Sequence, residues 1–208
     1  MTTNLTKENL IDFENSIVNL YNEGRIKSPI HLRGGNEQIL IDIFNKENIN
    51  DNCWLACNWA SHLECLCKGV SKEELTEAIL QNRSITLCFN KYKIISSAIV
   101  ASIAPIATGI ALGIKRKNLN ERVFCFLGDM SFLNGIAQES IRYSQNHNLP
   151  IKFIVADNKL SVQTPTYEVW GLKDNEIEKI CKQFNNVIYY NYVNSYPHSG
   201  TGKFVKFW

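Results

Sequence analysis

Asp129 and Asn158 each follow a short apolar run of the sequence, and together they could bind a metal ion. The first run, Val123 to Leu127, stops at Gly128, and the second run is Ile151 to Ala156. Short apolar runs with such boundaries predict buried strands. A carboxylate and an amide carbonyl are hard oxygen ligands, which suit magnesium or calcium ions that share their other positions with phosphate oxygens.

The segment between the two runs predicts a helix that Pro150 stops. Four of its residues recur at helical spacing, namely Ile136, Ser140, Tyr143 and Ser144. A strand, a helix and a second strand of this length form a right-handed crossover with parallel strands, so both polar ends lie at the carboxyl edge of one sheet. Open α/β sheets bind ligands at this edge, and the N–H groups of a helix that begins just after Gly128 attract an anion. We therefore expect the two polar residues to hold a metal-bridged diphosphate.

The same residues resemble the cofactor-anchoring signature of thiamine diphosphate enzymes, which has a Gly-Asp-Gly opening and a closing Asn on the next strand. The segment is most similar to the alpha subunit of the 2-oxo acid dehydrogenase decarboxylating component, with the amino-terminal domain of transketolase close behind. Gly135 and Glu139 also fall where those families have Gly and Glu. Met130 replaces the second Gly of the signature. Since that position provides a backbone contact, Met can serve there if its φ is negative.

The resemblance implies a thiamine diphosphate site with a magnesium ion. Asp129 and Asn158 would bind the metal through their side chains, and Leu160 would bind it through its backbone carbonyl. The residues implied to contact the cofactor are Ala98, Val100, Gly128, Asp129, Met130, Ser131 and Asn158. Ala98 and Val100 match a Gly-Ile-Val segment of the family that contacts the aminopyrimidine ring, and core packing is the alternative for them.

Two histidines are candidate catalytic residues. His31 begins the segment HLRGGNE, which resembles the start of the dehydrogenase alpha subunit, where the His lies near the mouth of the active site. A structural hydrogen-bonding role is the alternative for His31. His62 aligns with a Tyr-Arg-x-His-Gly loop of the family, but the Tyr-Arg pair is Trp59-Ala60 here. One phosphate contact is therefore missing, and a partner subunit, backbone amides or a different substrate must make up for it.

Composition indicates a soluble globular protein, with 45% hydrophobic and 20% charged residues in 208. This length suits one domain and is too short for two of typical enzyme size. A net charge of +2 with interspersed signs indicates neither nucleic acid nor an anionic membrane as a partner. We expect a cytoplasmic protein, because no apolar run has the length of a membrane span or the position of a signal peptide. Seven scattered cysteines favour free thiols, with a zinc site around His62 as the alternative.

The amino-terminal third predicts helices around one strand. Thr6 can cap a helix that Gly24 stops, and a second helix carries the apolar stripe from Ile39 to Phe44. Cys53 to Gly69 predicts a short strand, a turn and a helix, and Ser71 begins a capping box for the next helix.

Ser96 to Lys117 predicts one long helix of small residues, which should be central and contact a second subunit. Lys173 to Phe184 predicts another helix and Val187 to Val193 a last strand. The remaining tail, from Ser195, has no regular pattern.

We therefore expect residues 1–208 to form one three-layer α/β domain of the thiamine diphosphate-binding type, with a mostly parallel sheet and a helical extension over about 1–30. In the resembling enzymes a second domain or subunit binds the aminopyrimidine and supplies an activating Glu. The resemblance thus implies a pyrimidine-binding beta-type partner, a heterotetramer, and a 2-oxo acid or ketose as substrate. Two alternatives stay open: the amino-terminal half of a split transketolase, and a non-catalytic relative that binds no cofactor.

Overall fold

Six strands form the central sheet of the computed structural model, which describes residues 5–196. Two short strands form a separate hairpin. The strands are β1 (Cys53–Cys57), β2 (Cys88–Phe89), β3 (Ile94–Ser96), β4 (Arg122–Gly128), β5 (Ile151–Asp157), β6 (Leu160–Ser161), β7 (Thr164–Pro165) and β8 (Val187–Asn191). The order in the sheet is β2-β3-β1-β4-β5-β8, and all neighbours are parallel except β2 and β3.

Helices cover both faces of this sheet and make two separate cores. They are α1 (Lys7–Asn22), α2 (Glu37–Lys46), α3 (His62–Cys67), α4 (Lys72–Leu80), α5 (Ile103–Arg116), α6 (Asp129–Leu133), α7 (Gly135–Asn146), α8 (Thr166–Trp170) and α9 (Glu176–Cys181), with a 3-10 turn at Asn90–Tyr92. Apolar residues of α1 to α4 pack in one core, and those of α5, α6, α7 and α9 pack in the other.

Strand β4 shows how the two cores share the sheet. Phe124 and Phe126 lie in the first core, whereas Val123, Cys125 and Leu127 lie in the second. Successive side chains of a strand point to opposite faces, so a strand covered on both faces reads as an unbroken apolar run. The predicted three-layer α/β fold with a mostly parallel sheet is confirmed.

The register of β4 and β5 brings the two predicted ligands together. Val123 pairs with Ile151 at one end of the ladder, and Gly128 pairs with Ala156 at the other. The strands are parallel, as predicted from the crossover. Because the chain leaves both strands at the same edge, Asp129 and Asn158 emerge side by side there.

The predicted helix from Ser96 to Lys117 is wrong over its first turns. Its observed counterpart α5 begins only at Ile103, and a turn precedes it. The Ser97 and Ser102 hydroxyls hydrogen-bond to each other at 2.6 Å, and Ala101 has a φ of 61°. Serine side chains that bond locally compete with the helical ladder, which explains the later start.

The predicted helix after Gly128 is interrupted. Helix α6 has 5 residues, and Asn134 then leaves the helical conformation with ψ of 139°. The Asn134 side chain accepts the Ile136 N–H at 3.1 Å and so caps α7. The buried face of α7 also differs from the expected one. Ser140 and Ser144 are buried as the pattern indicates, but Ile136 and Tyr143 are 50% and 43% exposed.

Smaller corrections concern the ends of elements. Thr6 and Asn9 make both hydrogen bonds of a capping box at the start of α1. At the start of α4 only one bond of the predicted box forms, in which the Ser71 hydroxyl accepts the Glu74 N–H. The helix predicted from Lys173 is shorter, as α9, and the last strand ends at Asn191. From position 197 onward the predicted irregular tail lies outside the described residues.

Within residues 5–196, no helix has both the length and the hydropathy required to cross a bilayer. All seven cysteines are free thiols in the structure.

Glu14 on α1 anchors the loop between α1 and α2. The residue is 1% exposed, and its Oε1 accepts the backbone N–H of Arg33 at 3.1 Å. Burial raises the pKa of this carboxyl to about 7, and the hydrogen bond from Arg33 partly opposes that shift. The charged form of Glu14 is therefore disfavoured in the folded protein.

Glu14→Gln should reduce the pH dependence of the free energy of unfolding. Glu14 titrates near 7 when folded and near 4.5 when unfolded, so the folded state binds more protons between these values, and stability falls as the pH rises through that window. As the pH rises through this window, the free energy of unfolding of the wild type should fall by up to about 3 kcal/mol more than that of the variant. Urea unfolding of both proteins at a series of pH values measures this difference. The prediction is contradicted if the free energies of unfolding of the two proteins change equally with pH.

Candidate functional site

A cavity lies at the carboxyl edge of the sheet, where β1, β4 and β5 end. Six of the predicted site residues line it: Gly128, Asp129, Met130, Ser131, Asn158 and Leu160. The rest of its wall includes Arg33, Asn58, Trp59, Ala60, Ala156, Ser161 and Tyr192. The parallel register of β4 and β5 brings the first group together, and the loop after β1 supplies residues 58 to 60.

Asp129 is a buried carboxylate with one uncompensated oxygen. The residue is 1% exposed, and its Oδ1 accepts the Met130 N–H at 2.7 Å. Its Oδ2 is buried and accepts no hydrogen bond of good geometry from residues 5–196, although the Thr166 hydroxyl lies near enough to favour the charged form. Burial, reinforced by the neighbouring Asp157 carboxylate, raises the pKa of Asp129 to about 7. A cation at Oδ2 would remove this cost, because it restores the stabilisation that water no longer provides.

Asn158 is held in one orientation beside Asp129. Its Oδ1 accepts the Leu160 N–H at 3.2 Å, and its Nδ2 donates to Asn194 Oδ1 at 2.9 Å. An amide oxygen has two lone pairs, so one lone pair of Oδ1 remains for a ligand. Leu160 is 37% exposed and lines the same cavity.

These donors fit a hard divalent cation. The Asp129 carboxylate, the Asn158 amide oxygen and the Leu160 carbonyl are all oxygen ligands, the type that magnesium and calcium prefer. The part of the chain that the structure describes has no cluster of three or more His, Cys, Asp and Glu side chains suited to a metal ion. Such a cluster would not be required here if a diphosphate and water supplied the remaining ligands.

Asp157 has a supporting role that its place in the sequence did not reveal. Its Oδ2 accepts hydrogen bonds from the Tyr167 and Tyr189 hydroxyls, both at 2.8 Å, and its Oδ1 accepts the Lys159 N–H at 2.9 Å. Burial, followed by the contact with Asp157, raises the pKa of both tyrosines. Both Asp157 oxygens are thus engaged by protein donors, which fix the turn that carries Asn158.

Met130 meets the condition for replacing the second Gly of the signature. It lies in the first turn of α6, where φ is negative. Its Sδ accepts the indole N–H of Trp170 at 2.8 Å. The Met side chain therefore links the β4–α6 junction to α8.

His62 lies in the core and not at the cavity, which corrects its predicted place in the active site. It is 2% exposed, and its Nε2 lies 2.9 Å from Ser84 Oγ. Its ring centroid lies 6.4 Å from that of Phe13 in an edge-to-face arrangement. Burial lowers the pKa of His62 to about 3, so the ring is neutral. A neutral imidazole that packs between helices is a structural residue here.

His31 does not line the cavity but packs against Trp59, which does. Its ring centroid is 6.1 Å from that of Trp59, edge to face, and Trp59 lines the cavity. A catalytic role of His31 stays a prediction.

Ala98 and Val100 are not at the cavity either. Both lie in the turn that follows β3, on the same edge of the sheet but one strand beyond β1. Val100 is 41% exposed and its neighbour Ile99 is 70% exposed. The core-packing alternative does not describe Val100, which faces outward.

Arg33 is the cavity residue that sequence reasoning missed. Its side chain is 5% exposed, and its Nη1 pairs with Glu64 Oε1 at 2.6 Å. Its Nη2 donates to Asn58 Oδ1 at 2.8 Å. Arg33 stands inside the HLRGGNE segment, which was the available signal, but the family pattern leaves that position unspecified.

The family model for the dehydrogenase E1 component matches residues 6–173 of the chain. The chain belongs to this family. The predicted resemblance to alpha-type chains of thiamine diphosphate enzymes is thereby confirmed. The match covers β1, β4, β5 and every residue given above for the cavity wall except Tyr192.

Two curated relatives of this E1 chain are alpha subunits of acetoin:2,6-dichlorophenolindophenol oxidoreductase. The Bacillus subtilis protein is 23% identical over 164 residues, and the Cupriavidus necator protein is 25% identical over 163. Each alignment covers 74% of this chain and 48% of the relative. The chain therefore spans about half the length of the curated relatives it matches.

An X-ray structure from Mycobacterium smegmatis, described as that of a thiamin diphosphate-dependent enzyme, is also similar. It aligns with 66% of this chain and 23% of its own, at 18% identity and a TM-score of 0.41.

Asp129→Asn should abolish the magnesium-dependent binding of thiamine diphosphate. The change keeps an acceptor for the Met130 N–H but removes the charge that we expect to bind the metal. Affinity should fall at least about 100-fold, or about 2.8 kcal/mol. Calorimetric titration with and without EDTA measures this, and the chelator should weaken binding by the wild type but leave the variant unchanged.

Asp174→Asn is the matched control, since Asp174 has an 83% exposed side chain that pairs only with Lys159 among the described ion pairs. It should bind as the wild type does. Equal affinities of all three proteins would contradict the metal role of Asp129.

Proposed function

We propose that this chain is the diphosphate-binding, alpha-type chain of a thiamine diphosphate- and magnesium-dependent enzyme that cleaves or forms a carbon–carbon bond next to a carbonyl. The observation that carries the proposal is the buried, unpartnered Oδ2 of Asp129 in a cavity shared with Asn158. Membership of the dehydrogenase E1 component family supports it.

In this proposal three residues of the cavity hold the magnesium ion. Asp129 contributes charge, Asn158 contributes its oriented amide oxygen, and Leu160 contributes a carbonyl. The hydrogen bonds that fix Asn158 to Leu160 and Asn194 reduce the entropy lost when the metal binds. A metal held by these three residues would stabilise the charge of the diphosphate.

The amide groups of the β4–α6 junction have a limited part. Helix α6 has 5 residues, so its dipole is small, and the Met130 N–H already donates to Asp129. Most of the diphosphate charge must therefore be balanced by the metal and by side chains of the cavity.

When bound, thiamine diphosphate supplies the carbon nucleophile that attacks a carbonyl and stabilises the resulting carbanion. This chain's residues anchor the diphosphate end of that cofactor. The buried Trp59 and Ala60 and the half-buried Met130 exclude water from that end. We infer a 2-oxo acid or a hydroxyketone as the substrate class, and the acetoin named for the two curated relatives is a member of the latter.

A beta-type partner completes this proposal. The curated relatives are named alpha subunits, and the enzymes that the sequence resembles receive an activating Glu from a pyrimidine-binding partner. Several large apolar side chains of the described residues are exposed, among them Ile99, Val100, Ile136, Val169 and Trp170. We propose that the partner covers them in a heterotetramer, because single exposed apolar side chains are common but a group of large ones marks a contact surface.

A non-catalytic relative is the second candidate. Trp59 and Ala60 replace the Tyr-Arg pair that would hold the diphosphate, and both line the cavity. Such a protein would assemble with a partner without binding the cofactor.

The chain alone should show no turnover of pyruvate, other 2-oxo acids or acetoin, and it should turn over a substrate of this class when combined with its beta-type subunit. Co-expression with a pyrimidine-binding beta-type subunit from the same genome, followed by assay of the purified complex, measures this. Robust turnover by the isolated chain would contradict the dependence on a partner. A stable complex without cofactor binding would support the non-catalytic relative instead.

A further inference from the structure

Arg33 is the cationic residue of the cavity. Among residues 5–196, no other Lys or Arg lines the space shared by Gly128, Asp129 and Asn158. Two phosphate groups, the Asp129 carboxylate and one divalent metal ion together carry a net negative charge. A positive charge of the protein at this wall would therefore favour binding of the diphosphate.

The guanidinium end of Arg33, and not only its aliphatic stem, lies at the cavity wall. Its Nη2 donates to Asn58 Oδ1 at 2.8 Å, and Asn58 itself lines the cavity. A guanidinium has five N–H groups. The bonds to Asn58 and Glu64 use two of them, and the Tyr190 hydroxyl lies near enough to accept a third.

Two hydrogen bonds, one to the backbone N–H and one to the backbone carbonyl, fix the position of Arg33. Its N–H donates to Glu14 Oε1 at 3.1 Å, and its carbonyl accepts the Ser195 N–H at 3.2 Å. Gly35 follows with a φ of 86°, and a Cβ there would lie 2.1 Å from the Val193 carbonyl oxygen. These contacts hold the loop, and with it the Arg33 side chain, in place. At position 35 only Gly permits the close approach of the segment that contains Val193.

Glu64 keeps the guanidinium charged without occupying the cavity. It is 0% exposed and does not line the cavity, and its coulombic attraction raises the pKa of Arg33 against the effect of burial. A buried ion pair of this kind is weak evidence for stability, because apolar residues of similar volume are often as stable. A role in binding an anion explains the pair better than a role in folding.

Asn58 connects Arg33 to the place where the family has its phosphate-binding Arg. Its Oδ1 accepts hydrogen bonds from Arg33 Nη2 at 2.8 Å and from the Ala60 N–H at 3.0 Å. The guanidinium therefore lies next to the backbone of residue 60, where the Tyr-Arg pair has become Trp59-Ala60.

We infer that Arg33 binds the diphosphate in this chain and replaces, from the α1–α2 loop, the arginine that its relatives carry at position 60. This inference rests on the proposed function.

The test uses paired substitutions, because Arg33→Met alone would leave Glu64 buried and unpaired. The double variant Arg33→Met/Glu64→Leu removes both charges. Calorimetric titration of the chain with thiamine diphosphate in the presence of magnesium should show at least a tenfold loss of affinity, with thermal unfolding as the check on folding. Ala60→Arg added to the double variant should restore most of the affinity, which a merely structural role of Arg33 would not produce.

Lys93→Met is the matched control, because Lys93 pairs with Glu121 at 3.0 Å away from the cavity. It should bind as the wild type does. If the double variant does not fold, Arg33→Lys serves instead, and it should bind thiamine diphosphate several-fold more weakly. The ammonium of Lys lacks the planar set of donors with which Arg can bond Glu64, Asn58 and a phosphate together.

Wild-type affinity in the folded double variant, or in Arg33→Lys when that variant is needed, would overturn the inference and leave the proposed function intact. A wild-type protein that shows no magnesium-dependent binding, alone or with its partner subunit, would overturn both.

Discussion

The burial of one carboxylate at the end of β4 determines how the site can work. Asp129 Oδ2 is buried without a hydrogen bond of good geometry from any described residue, beside a second buried carboxylate at position 157. Two neighbouring buried carboxylates repel each other, and one of them gains a proton unless a cation is present. The Asp157 carboxylate accepts hydrogen bonds from two tyrosine hydroxyls and a backbone N–H. Asp129 accepts one such bond, from the Met130 N–H to its Oδ1, and a metal ion would fit at its Oδ2.

The surrounding structure serves to keep Asp129 in that position. The parallel ladder of β4 and β5 places Asn158 beside it, and helices on both faces bury the strands. The loop before α2 brings Arg33 to the same cavity, and the segment after β8 reaches back to bond both Arg33 and Asn158. Parts of the chain that are far apart in sequence thus meet at one edge of the sheet.

The convergence of Asp129 and Asn158 could be predicted from sequence, because short apolar runs that end at polar residues indicate buried strands and parallel crossovers have one hand. The α/β class followed from the same runs. The turn at Ala98 to Val100 was not predictable in this way, since local serine hydrogen bonds override a helix-forming composition. Likewise the burial of His62 depends on tertiary packing against Phe13 and Ser84, which no single-sequence pattern encodes. Arg33 was missed because its function depends on contacts with residues 58 and 64, distant in sequence.

Substitutions at the family positions are matched by contacts elsewhere in the structure. Met130, in place of Gly, bonds Trp170, while the loss of an arginine at position 60 is accompanied by an arginine at position 33 on the same asparagine. Such pairs are expected where a site is retained and its parts are redistributed.

The most direct test of the metal-bridged site is a crystal structure of the chain with its partner subunit, soaked with manganese in place of magnesium and with thiamine diphosphate. Manganese gives an anomalous signal that locates the ion without reference to the protein. The account predicts one ion bonded to Asp129 Oδ2, Asn158 Oδ1 and the Leu160 carbonyl, at roughly 2.0 to 2.4 Å from each. An ion elsewhere, or a cofactor bound without an ion at Asp129, would contradict it.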